Sequence, residues 1–346
     1  MDSNFARHVS AGGDSIIQNN TLNVFTITDG SPVITNNNIE TIYGSGNSPM
    51  ISNNTLGSIG HYIHDSNGNP EYTYLNVNSV SISNNVITKG VYVIANFDAT
   101  ISSNEITGFS DEYTFITTKR YTTFGIILKG DGHIIGNTIT GCASGISGGT
   151  VIEENLLLNT IDHGITVLDR GNVVVRNNNI TNSKVGICCD DCETLTIENN
   201  FVCNQSFRGL SVHSPATIQN NTIRRTEEAI NLYNCPSATA RYNNLESYSN
   251  NSIVLGGTSG NINTINNWWG TTDTQTINST IYDNKYEFDI GKVTFVPILN
   301  EPNPQATPTS EPIIPELLTW FAIPLIVVLA VVVVFFRKKL RNKPAT

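Results

Sequence analysis

The sequence predicts an all-β solenoid, a parallel β-helix of about twelve coils, followed by one C-terminal transmembrane helix. Three observations carry this prediction. A short asparagine-containing phrase recurs along the chain, a second phrase with strand periodicity lies between its copies, and an uncharged run of twenty residues occupies 317–336. Self-similarity at a period near 20 residues indicates a solenoid.

The first phrase reads apolar–x–Asn–Asn–x–apolar, as in IENNFV at 197–202. Because it returns once per coil, its asparagines stack, and we expect them to form a ladder that satisfies backbone groups at a buried turn. Asparagine also tolerates the left-handed backbone that such turns require. All twelve copies, some degenerate, have asparagine at the fourth position: Asn20, Asn37, Asn54, Asn85, Asn104, Asn137, Asn155, Asn178, Asn200, Asn221, Asn243 and Asn267.

The second phrase alternates apolar and other residues, as in GITVL (164–168), GICCD (186–190) and GLSVH (209–213). This period of two is typical of a half-buried strand, and isoleucine, valine and threonine dominate. Two longer gaps between asparagine phrases, at 60–76 and 110–121, predict insertions on one face of the solenoid.

These repeats resemble the right-handed parallel β-helix proteins of the pectate-lyase-like superfamily. The likeness is strongest to the branch with short I-x-N-N-x-I and G-I-x-L repeats, shared by carbohydrate-binding and sugar-hydrolase domains and a nitrous-oxide-reductase maturation protein. It implies a single-stranded right-handed solenoid over residues 16–269. Residues 266–299 also resemble the closing module of β-helix surface proteins, particularly those of methanogenic archaea. One such fold hosts many activities, so the resemblance is specific for fold only.

The C-terminal region predicts the domain organisation. Residues 1–299 form the β-helix domain, with a closing module at 266–299 in which Ile277 and Ile281, one helical turn apart, suit a short lid. A proline-rich stretch at 300–316 predicts a semi-rigid spacer. The run at 317–336 has the length of a membrane span, and the basic tail 337–346 is expected to stay in the cytoplasm.

We therefore expect a single-pass membrane protein with an extracytoplasmic β-helix. The first residues, MDSNFARHVSAGGDSII, contain no apolar signal-peptide core and offer little to cap the first coil. The chain is therefore expected to be the C-terminal part of a longer protein or to have a mis-assigned start. A tail-anchored cytoplasmic protein is the alternative. Net charge is −10, which argues against nucleic acid as a partner.

The last residue of the second phrase faces solvent in every coil and defines the candidate site. Stacking it coil by coil gives Lys129, Gly149, Leu168, Asp190, His213, Tyr233 and Gly256. Lys129, Asp190, His213 and Tyr233 are the candidates for a carbohydrate-binding face. Asp190, Asp191, Asp169 and His213 are the candidates for acid–base catalysis on an acidic saccharide. An ordinary polar surface is the simpler interpretation, and no family catalytic motif transfers residue by residue.

The six cysteines do not match a zinc site, because CCDDC (188–192) has neither a second CxxC pair nor a nearby histidine. Cys189 is expected to be a buried apolar residue. Cys188 faces out and could pair with Cys192 or across coils, and the pairing cannot be read from the sequence. No metal or cofactor is predicted. Asn204, Asn250 and Asn278 are glycosylation candidates that lie outside the repeat phrase.

The function predicted from these observations is a non-enzymatic surface β-helix that binds carbohydrate or envelope polymer along one face. The first alternative is a polysaccharide lyase or glycoside hydrolase. The second is a scaffold or maturation partner of a membrane complex.

Overall fold

The structure of the chain is a computed structural model that describes residues 5–64, 70–108, 124–235 and 237–306. The predicted membrane span at 317–336 and the basic tail 337–346 lie outside these residues. Within the described ranges, no helix combines the length and the apolar character needed to cross a membrane.

Thirty-six strands and one helix make up the described body. The strands are β1 (Phe5–Ala11), β2 (Ile16–Gln18), β3 (Thr21–Ile27), β4 (Val33–Thr35), β5 (Asn38–Gly46), β6 (Met50–Ser52), β7 (Thr55–Ile59), β8 (His61–His64), β9 (Pro70–Thr73), β10 (Leu75–Val77), β11 (Val80–Ser83), β12 (Val86–Ala95), β13 (Ala99–Ser102), β14 (Glu105–Thr107), β15 (Phe124–Lys129), β16 (Gly132–Ile135), β17 (Thr138–Thr140), β18 (Ser144–Gly148), β19 (Val151–Glu153), β20 (Leu156–Leu158), β21 (His163–Leu168), β22 (Asn172–Arg176), β23 (Asn179–Thr181), β24 (Val185–Asp190), β25 (Thr194–Glu198), β26 (Phe201–Cys203), β27 (Arg208–His213), β28 (Ala216–Gln219), β29 (Thr222–Arg224), β30 (Glu228–Tyr233), β31 (Ala238–Arg241), β32 (Asn244–Glu246), β33 (Asn251–Gly256), β34 (Ile262–Asn263), β35 (Ile281–Tyr282) and β36 (Val293–Thr294). The helix is α1 (Thr274–Ser279).

The strands form two long sheets whose pairings are parallel, and one antiparallel hairpin, β8 with β9. A typical coil contains β25, β26 and β27. Turn 1 joins β25 to the short strand β26, turn 2 joins β26 to the long strand β27, and turn 3 leads to β28. Each strand pairs with its counterpart one coil later, as β27 does with β30. The inward residues, mostly isoleucine, valine and leucine, fill one continuous core. The prediction of a parallel β-helix is therefore confirmed.

The twelve asparagines of the repeat form one hydrogen-bonded ladder at turn 1. Asn178 is fully buried, and its backbone N–H and its Nδ2 both donate to Oδ1 of Asn200, each at 3.0 Å. The same Nδ2 donates to the carbonyl oxygens of Ile152 and Arg176, at 2.8 and 2.9 Å. Oδ1 of Asn178 in turn accepts from N and Nδ2 of Asn155. The side-chain amides thus satisfy turn groups that strand pairing does not reach.

The left-handed backbone expected at this turn lies one residue before the ladder position. All twelve residues at the third position of the phrase have positive φ: Asn19, Asn36, Asn53, Asn84, Ser103, Gly136, Glu154, Asn177, Asn199, Asn220, Tyr242 and Asn266. The two asparagines of the phrase therefore have separate roles. The first accommodates the left-handed turn, where asparagine is favoured, and the second bonds between coils.

An amide contact of the same kind, limited to one coil step, occurs at turn 2. Gln205 is buried, and its Nε2 donates to the carbonyl oxygens of Ile180 and Cys203, at 3.1 and 2.9 Å. Its Oε1 accepts the backbone N–H of Ser183 from the preceding coil at 2.9 Å. A glutamine amide therefore serves one coil step of turn 2 as asparagine serves turn 1.

The solenoid begins earlier than the sequence phrase predicted. Strand β1 pairs in register with β3, with Phe5 opposite Thr21, so ordered structure precedes the first copy at residue 17. Of the two predicted insertions, 60–76 contains the hairpin of β8 and β9, while 110–121 lies entirely outside the described residues.

The closing module continues the solenoid beyond the last ladder residue. Strands β35 and β36 pair with β33 and β34. Helix α1 is capped by Asp273 and buries Ile277. Ile281 does not belong to this helix, because it lies in β35 and pairs with Ile253 in a parallel ladder. Trp269 is buried and makes an edge contact with Phe295, with ring centroids 6.1 Å apart.

The beginning of the predicted spacer is attached to the folded body. The backbone N–H of Asn303 donates to Oδ1 of Asn244 at 2.7 Å, and Nδ2 of Asn303 donates to Oδ1 of Asn220 at 3.1 Å. The hydroxyl of Thr222 donates to the carbonyl oxygen of Ala306. Residues 300–306 therefore pack against turn 1 and the short strands of the last coils, and the rest of the predicted spacer lies outside the described residues.

Replacing Glu154 with asparagine is expected to stabilise the solenoid. Glu154 is exposed and has φ of 59°, a left-handed conformation that asparagine adopts at lower cost. We expect the free energy of unfolding to rise by roughly 0.5 to 1 kcal/mol in chemical denaturation. The control is Glu153→Asn, which removes the contact of Glu153 Oε2 with Arg176 Nε at 2.5 Å and should not stabilise. Equal effects of the two changes would contradict the assignment.

Candidate functional site

The candidate site is the outward surface of four consecutive long strands, β21, β24, β27 and β30, which we call the ligand face. Parallel pairing aligns its side chains in three rows along the solenoid axis. The start row is His163, Val185, Arg208 and Glu228. The middle row is Thr166, Cys188, Ser211 and Asn231, and the end row is Leu168, Asp190, His213 and Tyr233.

The glycine that begins each GIxLx-type strand phrase, such as Gly186, allows neighbouring coils to approach closely beneath this face. A Cβ added to Gly186 would lie 2.6 Å from the carbonyl oxygen of Gly209. The strand register skips this position, since Val185 pairs with Arg208 and the next pair is Ile187 with Leu210. The alternation resumes after it, so that Ile187 and Cys189 face the core while Cys188 and Asp190 face out.

The end row brings Asp190, His213 and Tyr233 together, as their spacing in the sequence predicts. Asp190 pairs with His213, and the Nδ1 of His213 lies 3.4 Å from Oδ1 of Asp190. The rings of His213 and Tyr233 have centroids 5.3 Å apart and are tilted by 46°. A carboxylate, an imidazole and a phenol therefore follow one another over three coils, each with a part of its surface open to solvent.

Tyr233 lies over bare backbone of the next coil. A Cβ added to Gly256 would meet the ring carbon Cδ2 at 2.8 Å, and a Cβ added to Gly257 would meet Cζ at 3.1 Å. The ring therefore occupies the space that side chains would otherwise fill, and 44% of Tyr233 remains exposed. Because Gly256 and Gly257 have no side chains, the ring can lie against the backbone there, and its other side faces solvent with the phenol group.

The other predicted residues do not join this group. Lys129 lies three coils before Asp190, about 14 Å along the axis, and its Nζ stands 4.3 Å from the ring centroid of Tyr74. Asp169 and Asp191 lie in turn 3, where both are exposed and have φ of 52°. They are aligned one above the other, beyond the strand end and outside the end row. The four acid–base candidates are therefore divided between two surfaces.

An ion pair in the start row was missed by sequence reasoning. Nε of Arg208 lies 2.8 Å from Oε2 of Glu228, and the two side chains are 26% and 12% exposed. Arg208 also places its guanidinium carbon 4.3 Å from the ring centroid of Phe207. The sequence could have predicted this ion pair from position alone, because Arg208 and Glu228 each stand one residue before the strand phrase in consecutive coils.

Three carboxylates of the ligand face already contact basic side chains. Asp162, at the edge of the start row, lies 3.0 Å from Nδ1 of His163 and 4.0 Å from Nζ of Lys184. Glu228 contacts Arg208, and Asp190 contacts His213. The face therefore offers hydrogen-bond donors and acceptors side by side, which suits recognition of hydroxyl-rich ligands.

All six cysteines lie in the described residues and are free thiols. The backbone N–H of Cys192 donates to Ser214 Oγ at 2.9 Å, so this thiol occupies a turn 3 column and does not pair with Cys188. Burial raises the pKa of Cys142 to about 12 and that of Cys235 to about 11. Among the residues that the structure describes, no cluster of three or more histidine, cysteine or acidic side chains could hold a metal ion.

The three glycosylation candidates, Asn204, Asn250 and Asn278, are all exposed. In contrast, Asn179, a sequon within the repeat phrase, is 5% exposed and inaccessible to modification. Glycosylation at the three exposed positions stays a prediction.

Comparison with known proteins gives one match to a family model, over part of the chain. Residues 124–269 match a family model described as right handed beta helix region. Searches of curated proteins and of solved structures found no match. The matched segment contains the whole ligand face, and together with the parallel sheets it shows a right-handed parallel β-helix. The resemblance to archaeal surface proteins stays a prediction.

Iodoacetamide at pH 8 is expected to modify only Cys188 in the folded protein, and slowly. Burial and the charge of Asp190 raise its pKa, partly offset by Arg208, so its alkylation rate should still increase above pH 9. Mass spectrometry of the labelled peptides would measure this, with all six cysteines reacting after unfolding. Cys188→Ser is the control and should abolish native-state labelling. Equally fast labelling of Cys142 or Cys235 would contradict the buried, neutral thiols described above.

Proposed function

We propose that this right-handed parallel β-helix is a surface protein that binds carbohydrate or envelope polymer along its ligand face, without catalysis. The observation that carries the proposal is the end row, in which Asp190, His213 and Tyr233 are aligned and partly exposed. Aromatic rings with one open surface suit the apolar C–H side of a sugar, while neighbouring carboxylate and imidazole groups hydrogen-bond hydroxyls.

The shape of the face supports an extended ligand. The middle row consists of small or short side chains, Thr166, Cys188, Ser211 and Asn231, between rows that carry longer ones. Ser211 and Asn231 are only 5% and 4% exposed, so the middle row is shielded by the longer side chains on either side of it. A linear polymer lying along the axis would contact the side chains of successive coils in turn.

The proposal includes the cellular location. The uncharged run 317–336 with the basic tail after it favours a membrane anchor with a cytoplasmic C terminus. The β-helix would then be extracytoplasmic. Protease added to intact cells would digest the body in that case and would spare it if the protein were tail-anchored inside the cell.

A second candidate function is a polysaccharide lyase or glycoside hydrolase. The contact of His213 with Asp190, 3.4 Å between Nδ1 and Oδ1, favours it, because a carboxylate that holds an imidazole is a usual arrangement for a general base. Against it, Asp169 and Asp191 lie in turn 3 beyond the end row, and Nη2 of Arg170 is directed to the carbonyl oxygen of Leu128 at 3.3 Å. None of Asp169, Asp191 and Arg170 therefore joins the pair as a second acid or a guanidinium.

Binding of the purified chain to a panel of neutral and acidic polysaccharides tests the proposal. We expect Tyr233→Ala to weaken binding roughly tenfold in titration calorimetry, because an aromatic contact of this kind contributes about 1 kcal/mol beyond its buried area. Tyr242→Ala is the matched control, since Tyr242 is also 44% exposed but lies at turn 1. Equal effects of both changes, or no binding to any polymer, would contradict the proposal.

The same panel of polysaccharides distinguishes an enzyme from a protein that only binds. Absorbance of unsaturated products and appearance of reducing ends would report lyase and hydrolase activity on polyuronides. If the wild-type chain turns over a polysaccharide and Asp190→Asn does not, the protein is an enzyme and the proposal of binding without catalysis is wrong.

A further inference from the structure

The closing module places a tyrosine in line with the ligand face. Val254 pairs with Asn231 in the preceding coil and with Tyr282 in the following one. Because Asn231 belongs to the middle row, Tyr282 extends that row by two coils beyond it. The sequence gives no indication of this, since Tyr282 belongs to no repeat phrase.

Tyr282 is half of a stacked pair. Its ring and that of Tyr286 are nearly parallel, at 6°, with centroids 5.5 Å apart, and Tyr286 is 59% exposed. The loop between them is fixed by the backbone N–H of Tyr286, which donates to the carbonyl oxygen of Asp283 at 2.9 Å. Lys285 Nζ donates to the carbonyl oxygen of Asn278 at 2.7 Å and lies 5.5 Å from the Tyr286 ring centroid. The aromatic pair is therefore held in place before any ligand arrives.

The distance from Tyr233 to this pair fits a linear saccharide. Two coil rises separate the strands of Tyr233 and Tyr282, about 10 Å along the axis at the ordinary interstrand spacing. The two residues stand in adjacent outward rows, so their Cα atoms are roughly 12 Å apart. Between them lies the coil of Gly256 and Gly257, where Tyr233 covers the backbone. A pyranose in an extended chain advances by a length close to one coil rise.

We propose that Tyr282 and Tyr286 form a second subsite for the same saccharide chain, which runs along the solenoid axis with about one sugar per coil. The inference rests on the proposed binding function and adds the direction and length of the ligand. The chain would extend over five coils, from Asp190 through His213, Tyr233 and the Gly256 coil to Tyr282. Its far end would pack against Tyr286, while its other end would hydrogen-bond to the Asp190–His213 pair.

Oligosaccharides of defined length test this subsite. Two series are used, oligogalacturonates and cello-oligosaccharides of two to eight sugars, one acidic and one neutral. We expect affinity for at least one series to rise up to about five sugars and then to level off. Tyr286→Ala should lower the affinity for a hexamer about tenfold and leave that for a dimer unchanged, whereas Tyr233→Ala should weaken both.

Two further variants keep the result interpretable. Tyr286→Phe retains the ring and should bind the hexamer like the wild-type chain, and Tyr242→Ala should have no effect. Binding that depends on Tyr233 but not on Tyr286 or on chain length would overturn the second subsite and leave the proposed function intact. No binding of either series by the wild-type chain would overturn both.

Discussion

The side-chain amides of the ladder asparagines donate to backbone carbonyl oxygens and to the next asparagine of the ladder, and the rest of the solenoid depends on these contacts. In Asn178 the Nδ2 group reaches two carbonyl oxygens of its own and the preceding coil, and also Oδ1 of Asn200 in the next. Every amide points the same way along the axis, so the ladder has a direction. Unpaired polar groups at a buried turn are costly, and a shift of one residue in any coil would leave several unpaired. The ladder therefore fixes the register of each coil against the next.

Register at turn 1 determines what the distant surfaces present. Each long strand follows turn 1 after a short strand and turn 2. The ladder therefore supports, from a distance, the same coil register that parallel pairing of the long strands requires. Asp190, His213 and Tyr233 come from three separate coils and meet without any loop that is specific to the site. The neutral thiols of Cys142 and Cys235 are explained by the same architecture, because turn columns enclose small side chains away from water and so raise their pKa. A groove of this kind is built from many weakly specific contacts, which suits a polymer better than a compact small molecule.

Features that recur in every coil were predictable, and features that occur once were not. The asparagine phrase predicted the ladder, and the alternating phrase predicted the end row, because both depend on position in a repeat. The left-handed residue of turn 1 was expected but not located, since two adjacent asparagines give the sequence no way to distinguish a backbone requirement from a side-chain bond. Ile281 was placed in a helix because its spacing from Ile277 fits one, whereas pairing with Ile253 decides its conformation. The Arg208–Glu228 pair and the Tyr282–Tyr286 stack depend on tertiary contacts between residues that no phrase links.

An isosteric change at two adjacent asparagines tests the ladder most directly. Asn178→Asp keeps the shape and the acceptor Oδ1 but replaces the donor Nδ2 with an oxygen that faces Ile152 O, Arg176 O and Asn200 Oδ1. Asn177→Asp makes the same change at the neighbouring left-handed position, where no ladder bond is made. Chemical denaturation of both variants at pH 7 should show a loss of at least about 3 kcal/mol in the free energy of unfolding for Asn178→Asp. The loss for Asn177→Asp should stay within about 1 kcal/mol. Equal, small losses in the two variants would contradict the ladder and the coil register that follows from it.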